Sequence, residues 1–319
     1  MTSYCNTGYY ILGLIIEAIT KKKYEDVLKE RVFSVLRMEN SGSETPNASI
    51  PNLAEGYTLY LGEYIIPHSI NMKTMTYSAG NIYSTIEDLF LWDKSLYTDK
   101  LLNADNRRLM FTKYLPNYGY GVAVNSLENY LGTNKDITLI SHDGGIGGFS
   151  SYMARIPEDS ILVILLDNTR AGMRGNDLVG ITNNILPILY GIKAELPKPL
   201  ADIEFLRLLK AISLDKAILQ FKDVVFNKKD TYNLNGLENS LNLIGYNYIS
   251  EGDLIAAFKI LKLNTEIFPY SASAHNSLGE AYYINNQLDL ALQHYKKSYL
   301  LDQKNDNAKK MIEEILKNK

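Results

Sequence analysis

Apolar residues recur at helical spacing almost from the first residue: Tyr9, Leu12, Ile15, Ile16 and Ile19 predict a buried helix ending near Thr20. Val27, Leu28, Val32, Phe33 and Leu36 mark the inward face of a second, amphipathic helix over residues 24–36. Residues 39–76 lose that period, are rich in Asn, Ser, Pro and Tyr, and predict irregular loops with short strands. Ser84 and Thr85 ahead of Glu87 and Asp88 form a capping signal for a helix carrying Leu89, Leu91, Trp92 and Leu96. The pattern then turns to strands, over 118–124 and 137–140. Residues 151–156, a turn containing Pro157, and the unbroken apolar run 161–166 read as an antiparallel hairpin. An apolar helix is expected over 176–190, ended by Pro187 and Gly191.

Residues 193–199, with two prolines, are the expected domain boundary. Beyond it the chain reads as all-helical and repeats itself. Gly245 and Gly279 stand 34 residues apart, and at the same offset Tyr248 matches Tyr282, Ala257 matches Ala291 and Leu261 matches Tyr295. That is the tetratricopeptide period, with Pro269 where the unit closes. Ala217 and Phe221 suggest a degenerate earlier unit, and 306–316 a solvating end helix. Such hairpins bury their faces by stacking on neighbours, and their concave groove suits a peptide or protein partner. The expected layout is 1–192, a linker with a degenerate repeat over 193–236, and two repeat units with an end helix over 237–319.

Composition narrows the function. A chain of 319 residues, 46% hydrophobic, is globular and long enough for two domains. A net charge of −3 gives no electrostatic footprint for nucleic acid. The lysine-rich stretches, 21–23 and 309–319, read as solvated helix faces. The single cysteine, Cys5, excludes an internal disulfide and a thiolate zinc cluster, and four scattered histidines show no metal-ligand spacing. No stretch has the length of a membrane span.

The densest chemistry is His142-Asp143-Gly144-Gly145-Ile146-Gly147-Gly148. Glycines so crowded suggest backbone that a ligand must approach closely, outside ordinary strand interior. No Gly-Lys-Ser/Thr follows, so a phosphate cradle is rejected. Ser78-Ala79-Gly80 reads equally as pocket lining or as the turn before a capped helix.

The order of these motifs resembles a known family. Tyr4-Cys5-Asn6 with its following helix, then Ser-Ala-Gly, then His142-Asp143-Gly144 before a hairpin, is similar to the serine β-lactamase and penicillin-binding-protein superfamily, in its class C or D,D-peptidase-like branch. The resemblance covers about residues 1–192. It implies an α/β (α+β) domain, an antiparallel sheet flanked by helices, followed here by the all-α tetratricopeptide solenoid. It also implies an acyl-serine mechanism on a peptide, β-lactam or ester substrate, with no cofactor and no metal. Tyr4 would exchange protons with the serine and the leaving group, which requires a phenol held near cations. Asn6 would bind the substrate amide, and His142 would stand at the pocket edge. Gly144 and Gly145 would let the acyl group reach the strand edge, the Gly145 N–H serving as one oxyanion donor. Relatives of this kind are mostly exported or membrane-tethered.

The chain departs from that pattern in one respect. The family's Ser-x-x-Lys lies well upstream of Tyr-x-Asn, and here three residues precede Tyr4. Ser213-Leu214-Asp215-Lys216 has the spacing but falls in the repeat region, where Ser213 reads as a helix cap. Cys5 occupies the variable position between two motif residues. The nucleophile segment is therefore expected to be missing, leaving the hydrolase domain incomplete, aggregation-prone when isolated, and apolar on its surface from Ile11 to Ile19. The alternative is a catalytically inactive interaction module with a vestigial hydrolase domain.

Overall fold

In the computed structural model, which describes residues 4–44, 50–61, 63–66, 76–171, 178–194 and 198–317, the first apolar run forms helix α1 (Asn6–Thr20). It is not the buried helix its spacing suggests. Only Gly13 is buried, while Ile11, Leu12, Leu14 and Ile15 are about half exposed and Ile19 is 77% exposed. Periodicity reports an apolar face but not what covers it. The one seated side rests on the turn Tyr77–Ala79: the Ser78 hydroxyl donates to the Tyr9 carbonyl at 2.8 Å, and a Cβ on Gly13 would collide with the Ser78 side chain. The Ser-Ala-Gly segment thus seats a helix. Lys21 closes α1 in a left-handed conformation (φ 55°).

Helix α2 (24–36) matches its expected span, with a π-type stretch, Lys29–Phe33, at its centre. Phe33 and Leu36 form a core cluster with Met38, against which Leu91 and Trp92 pack from helix α3 (Ile86–Ser95). The expected cap is present, the Thr85 hydroxyl accepting from the Asp88 N–H at 3.3 Å. The Asp88 carboxylate in turn accepts from the Asn40 N–H and the Ser41 hydroxyl, at 2.8 and 2.7 Å. In sequence, β1 (Gly42–Ser43) follows α2, and a hairpin of β2 (Tyr57–Tyr60) and β3 (Glu63–Ile65) comes after it. Strand β4 (Ile82–Tyr83) pairs with β1, and helix α4 (Ala104–Phe111) follows α3.

The main sheet is four-stranded and wholly antiparallel, in chain order: β5 (Ala123–Leu127), β6 (Ile137–Ile146), β7 (Phe149–Ile156) and β8 (Ile161–Asp167). The expected hairpin of residues 151–156 and 161–166 is there. The expected strand 118–124 is not: it begins only at Ala123, because Gly121 (φ 76°) and the bridges of Tyr118 to Leu115 and Ala123 fold the preceding residues into a tight loop. Helix α5 (Leu178–Leu189) lays Leu186 against Ile137, Ile156 and Val163. It runs through Pro187 in its last turn, where the missing N–H leaves the residue 183 carbonyl without its helical donor, and the chain turns at Gly191 (φ 71°). The expected start at Asn176 lies outside the described residues, as does His68.

Within this unit the two-residue turn Gly147-Gly148 (φ 55° and 89°) crosses residue 56 backbone to backbone. A Cβ on Gly148 would lie 2.5 Å from the Gly56 carbonyl carbon, and one on Gly56 would lie 2.3 Å from the Gly147 oxygen. Arg155 of β7 is buried, its Nε 3.2 Å from Asp93 Oδ1 and its guanidinium 4.4 Å from the centre of the Tyr97 ring.

The chain divides into two compact units: Met1–Tyr57, Ile66–Arg170 and Gly175–Glu195 form one, while Thr58–Ile65, Ala171–Arg174 and Leu196–Lys319 form the other. The second unit is built from helices α6 (Ala201–Ala211), α7 (Leu214–Asn227), α8 (Leu237–Ser250), α9 (Leu254–Ile267), α10 (Ala272–Ile284), α11 (Leu288–Leu301) and α12 (Asp306–Lys317). Residues 193–236 are therefore mainly a helix pair, with the Phe205 and Phe221 ring centres 4.5 Å apart at a tilt of 33° and packed with Leu237 and Leu241. The 34-residue offset recurs in space. Gly245 of α8 faces Leu261 of α9, and Gly279 of α10 faces Tyr295 of α11. No helix among the described residues is long and apolar enough to cross a membrane.

Candidate active site

Strand β6 carries the densest motif, and its glycines do not behave as their crowding suggests. Gly144 and Gly145 are ordinary strand residues, opposite Ser151 and Ser150 of β7. The departure from regular backbone comes only at Gly147 and Gly148, whose positive φ values make a two-residue hairpin loop closed by Ile146 and Phe149. Hydrogen-bonded pairs alternate along an antiparallel ladder. With Ile146 and Phe149 as the closing bonded pair, the Gly145 and Asp143 backbone groups face away from β7. The same alternation points the Val124 N–H of β5 away from β6, and it is found bonded to the Asn117 carbonyl at 2.9 Å. β5 stops opposite Ser141, so the Gly145 N–H faces a side of β6 that β5 does not cover. Asp143, Gly144 and Gly145 are all exposed.

His142 is half-buried on the same strand. Its Nδ1 lies 2.7 Å from the Asp143 carbonyl and its Nε2 lies 2.8 Å from the Tyr118 hydroxyl. A carbonyl can only accept, so Nδ1 carries the proton and Nε2 accepts from the phenol. Tyr118 is a residue that pattern reading missed, because it was assigned to a strand. Its signal was local: Tyr118-Gly119-Tyr120-Gly121 alternates aromatics with glycines next to the strand that pairs with β6. Burial, then Tyr9, Tyr4 and Asp143, push the Tyr118 phenol well above its ordinary pKa, so it stays a donor. Replacing Tyr118 by phenylalanine is expected to move the Nε2 resonance of His142 in ¹⁵N spectra and leave Nδ1 in place, at a cost of about 0.5–1.5 kcal/mol. An unmoved Nε2 resonance would show that the contact is not made in solution.

Tyr4 completes the cluster. Its ring centre is 6.2 Å from those of Tyr118 and His142 and 5.8 Å from that of Tyr9. Its pKa is raised, first by burial, then by Tyr9 and by the Asp143 carboxylate. Each of these influences disfavours the phenolate and so favours the proton-bearing form of Tyr4. Asn6 opens α1 and is exposed. Cys5, the residue before it, is exposed, and the Gly8 N–H and the Thr7 hydroxyl and N–H hold its thiol below the usual value. Ser213 stands at the N-cap position of α7 in the other unit, but its side chain makes no capping hydrogen bond.

Tyr4, Tyr118, His142 and an outward backbone N–H therefore share one unit, beside an exposed strand edge. They can donate and accept protons and hold a developing oxyanion; the Ser-x-x-Lys pair that such chemistry attacks with is not among the described residues of this cluster.

Comparison with known proteins places this unit. The family model described as Beta-lactamase matches residues 1–179. Penicillin-binding protein 4* of Bacillus subtilis (strain 168) is 26% identical over 217 residues, 62% of this chain and 46% of that protein. The putative penicillin-binding protein PbpX of the same organism is 26% identical over 184 residues, 57% of this chain and 42% of that protein. Among solved structures, the octameric penicillin-binding protein homologue from Pyrococcus abyssi aligns at 28% identity with a TM-score of 0.50, over 66% of this chain and 47% of that one. The chain spans about half the length of the curated relatives it matches.

Proposed function

The chain belongs to the beta-lactamase family, and we propose that its first unit is the proton-transfer and oxyanion side of an acyl-serine hydrolase whose nucleophile segment is missing from this chain. The observation that carries this reading is the gathering of Tyr4, Tyr118 and His142 beside the outward N–H of Gly145. Tyr4 passes a proton between the serine and the leaving group, Asn6 binds the substrate amide, and Gly144 leaves room for the acyl chain at the strand edge. His142, fixed by Tyr118 and the Asp143 carbonyl, borders the leaving-group side. The substrate is a small peptide, a β-lactam or an ester; relatives named as penicillin-binding proteins favour a β-lactam as the first probe.

The second unit reads as a tetratricopeptide solenoid that holds a protein partner. Support comes from the equivalent glycine contacts 34 residues apart, which hold paired helices at close range. A second reading follows from it: an interaction module carrying an inactive hydrolase domain. One experiment separates the two. Fluorescent penicillin is added to the chain as it stands, and to the chain preceded by a Ser-x-x-Lys segment from a relative. Labelling of the second alone supports the hydrolase. Labelling of neither, with the extended chain folded, overturns it in favour of the interaction module.

A further inference from the structure

The helices of the second unit gather phenols and carboxylates at one place. Tyr246 of α8, Glu280 of α10 and Glu314 of α12 are spaced by the repeat's 34 residues, so equivalent positions supply a phenol and two carboxylates. The Tyr246 hydroxyl donates to Glu280 Oε2 at 2.7 Å, and the hydroxyl of Tyr283, also on α10, donates to Glu314 Oε1 at 2.6 Å. All four residues are half-buried. The second oxygen of each carboxylate is left without a hydrogen bond among the described residues.

The fifth member is Tyr295 of α11. Its ring lies against Gly279, where an added Cβ would come within 3.2 Å of it, and the residue is 1% exposed. After burial, Glu280, Tyr246, Tyr283 and Glu314 are the groups that push its phenol above the ordinary value, so its hydroxyl faces the cluster and keeps its proton. That hydroxyl has no hydrogen-bond partner among the described residues. A buried hydroxyl in this state costs free energy unless something outside the chain pairs with it.

We propose that Tyr246, Glu280, Tyr283, Glu314 and Tyr295 form a receptor for one arginine side chain of the partner polypeptide that this unit, on the reading above, holds. Charge selects a cation. Neither carboxylate has an ion-pair partner among the described residues; Lys310 and Lys317, one turn either side of Glu314 on α12, are exposed and pair with neither. Geometry selects an organic cation. No group of three His, Cys, Asp or Glu side chains able to hold a metal ion is found among the described residues, and the phenols here keep their protons. The two carboxylates stand on separate helices. A guanidinium offers five N–H donors spread in a plane, enough for both free carboxylate oxygens and the Tyr295 oxygen at once. An ammonium offers three from a single point, so arginine outranks lysine.

The test uses the full chain, ¹⁵N-labelled and titrated with acetyl-Gly-Ser-X-Ser-Gly-amide, in which X is arginine, citrulline or aspartate. The arginine peptide is expected to move the amide resonances around Glu280 and Glu314. The citrulline peptide, uncharged but of the same shape, should bind about tenfold more weakly. Glu280→Gln and Glu314→Gln, which keep an oxygen for each phenol, should each weaken the arginine peptide about tenfold. Tyr295→Phe should weaken it several-fold yet leave the melting temperature of the free chain unchanged or higher, because the lost hydroxyl has no partner there. Arginine and citrulline peptides that bind equally, or Gln variants that bind as the parent does, would overturn the receptor. So would an arginine peptide that moves nothing at millimolar concentration. In that case a shift of the same helices by the aspartate peptide keeps the partner-holding reading, and silence from all three peptides speaks against it.

Discussion

Tyr4→Phe, in a chain extended upstream by a Ser-x-x-Lys segment, is expected to slow acylation by fluorescent penicillin by about 10²–10⁴-fold, the usual worth of a positioned proton-transfer group. Tyr4 is 55% exposed, so the change should leave the melting temperature nearly untouched. The pH dependence tests the same assignment. The Asp143 carboxylate is among the groups that raise the Tyr4 phenol. Asp143→Asn removes a negative charge, the phenolate becomes easier to form, and the rising limb of the pH–rate profile should move to lower pH. A lysine ammonium arriving with the upstream segment acts in the same direction. Acylation that is indifferent to Tyr4→Phe would remove Tyr4 from the chemistry.

The second large effect concerns stability. Arg155→Leu is expected to cost about 3–5 kcal/mol, because it strands the carboxylate of Asp93 in the core. Both side chains are 5% exposed, and the guanidinium also loses its contacts with Tyr97 and Phe111. Burial already raises the Asp93 carboxyl more than Arg155 lowers it. Without the arginine it rises further, so the penalty is full at neutral pH and is relieved as falling pH lets Asp93 take up a proton. The single tryptophan, Trp92, neighbours Asp93 in α3, and its fluorescence during urea unfolding reports on this unit. The double variant Arg155→Leu/Asp93→Leu should recover much of the loss. A single variant costing under about 1 kcal/mol would mean that the pair is solvated.

Much of this was legible in the chain. The capping signal at Thr85, the helix over 24–36 and the hairpin around Pro157 are local, and local rules found them. The all-helical reading of the second unit holds, and two glycines 34 residues apart, Gly245 and Gly279, each lie against a following helix. What pattern could not show were facts about partners. The spacing of Ile11 to Ile19 marks an apolar face and by itself reads as buried; its exposure agrees with the expectation drawn from the departure from the family pattern, since burial depends on what packs there. Gly144 and Gly145 read as irregular because glycine composition was weighed without register; pairing with β7 makes them strand. Tyr4, Asn6, His142 and Gly145 are proposed from the order of their motifs along the chain, and the fold brings the Tyr4 and His142 rings to 6.2 Å. Tyr118 was missed because a hydrogen bond to a residue 24 positions away has no sequence period.

The crossing of the Gly147-Gly148 turn over Gly56 has a consequence for recombination. Two segments that touch backbone to backbone are inherited as one piece. A chimera that takes the β6–β7 hairpin from one relative and the loop before β2 from another carries a collision wherever either donor has a side chain at these positions. Productive crossovers within the first unit should therefore keep residue 56 and the turn from the same parent.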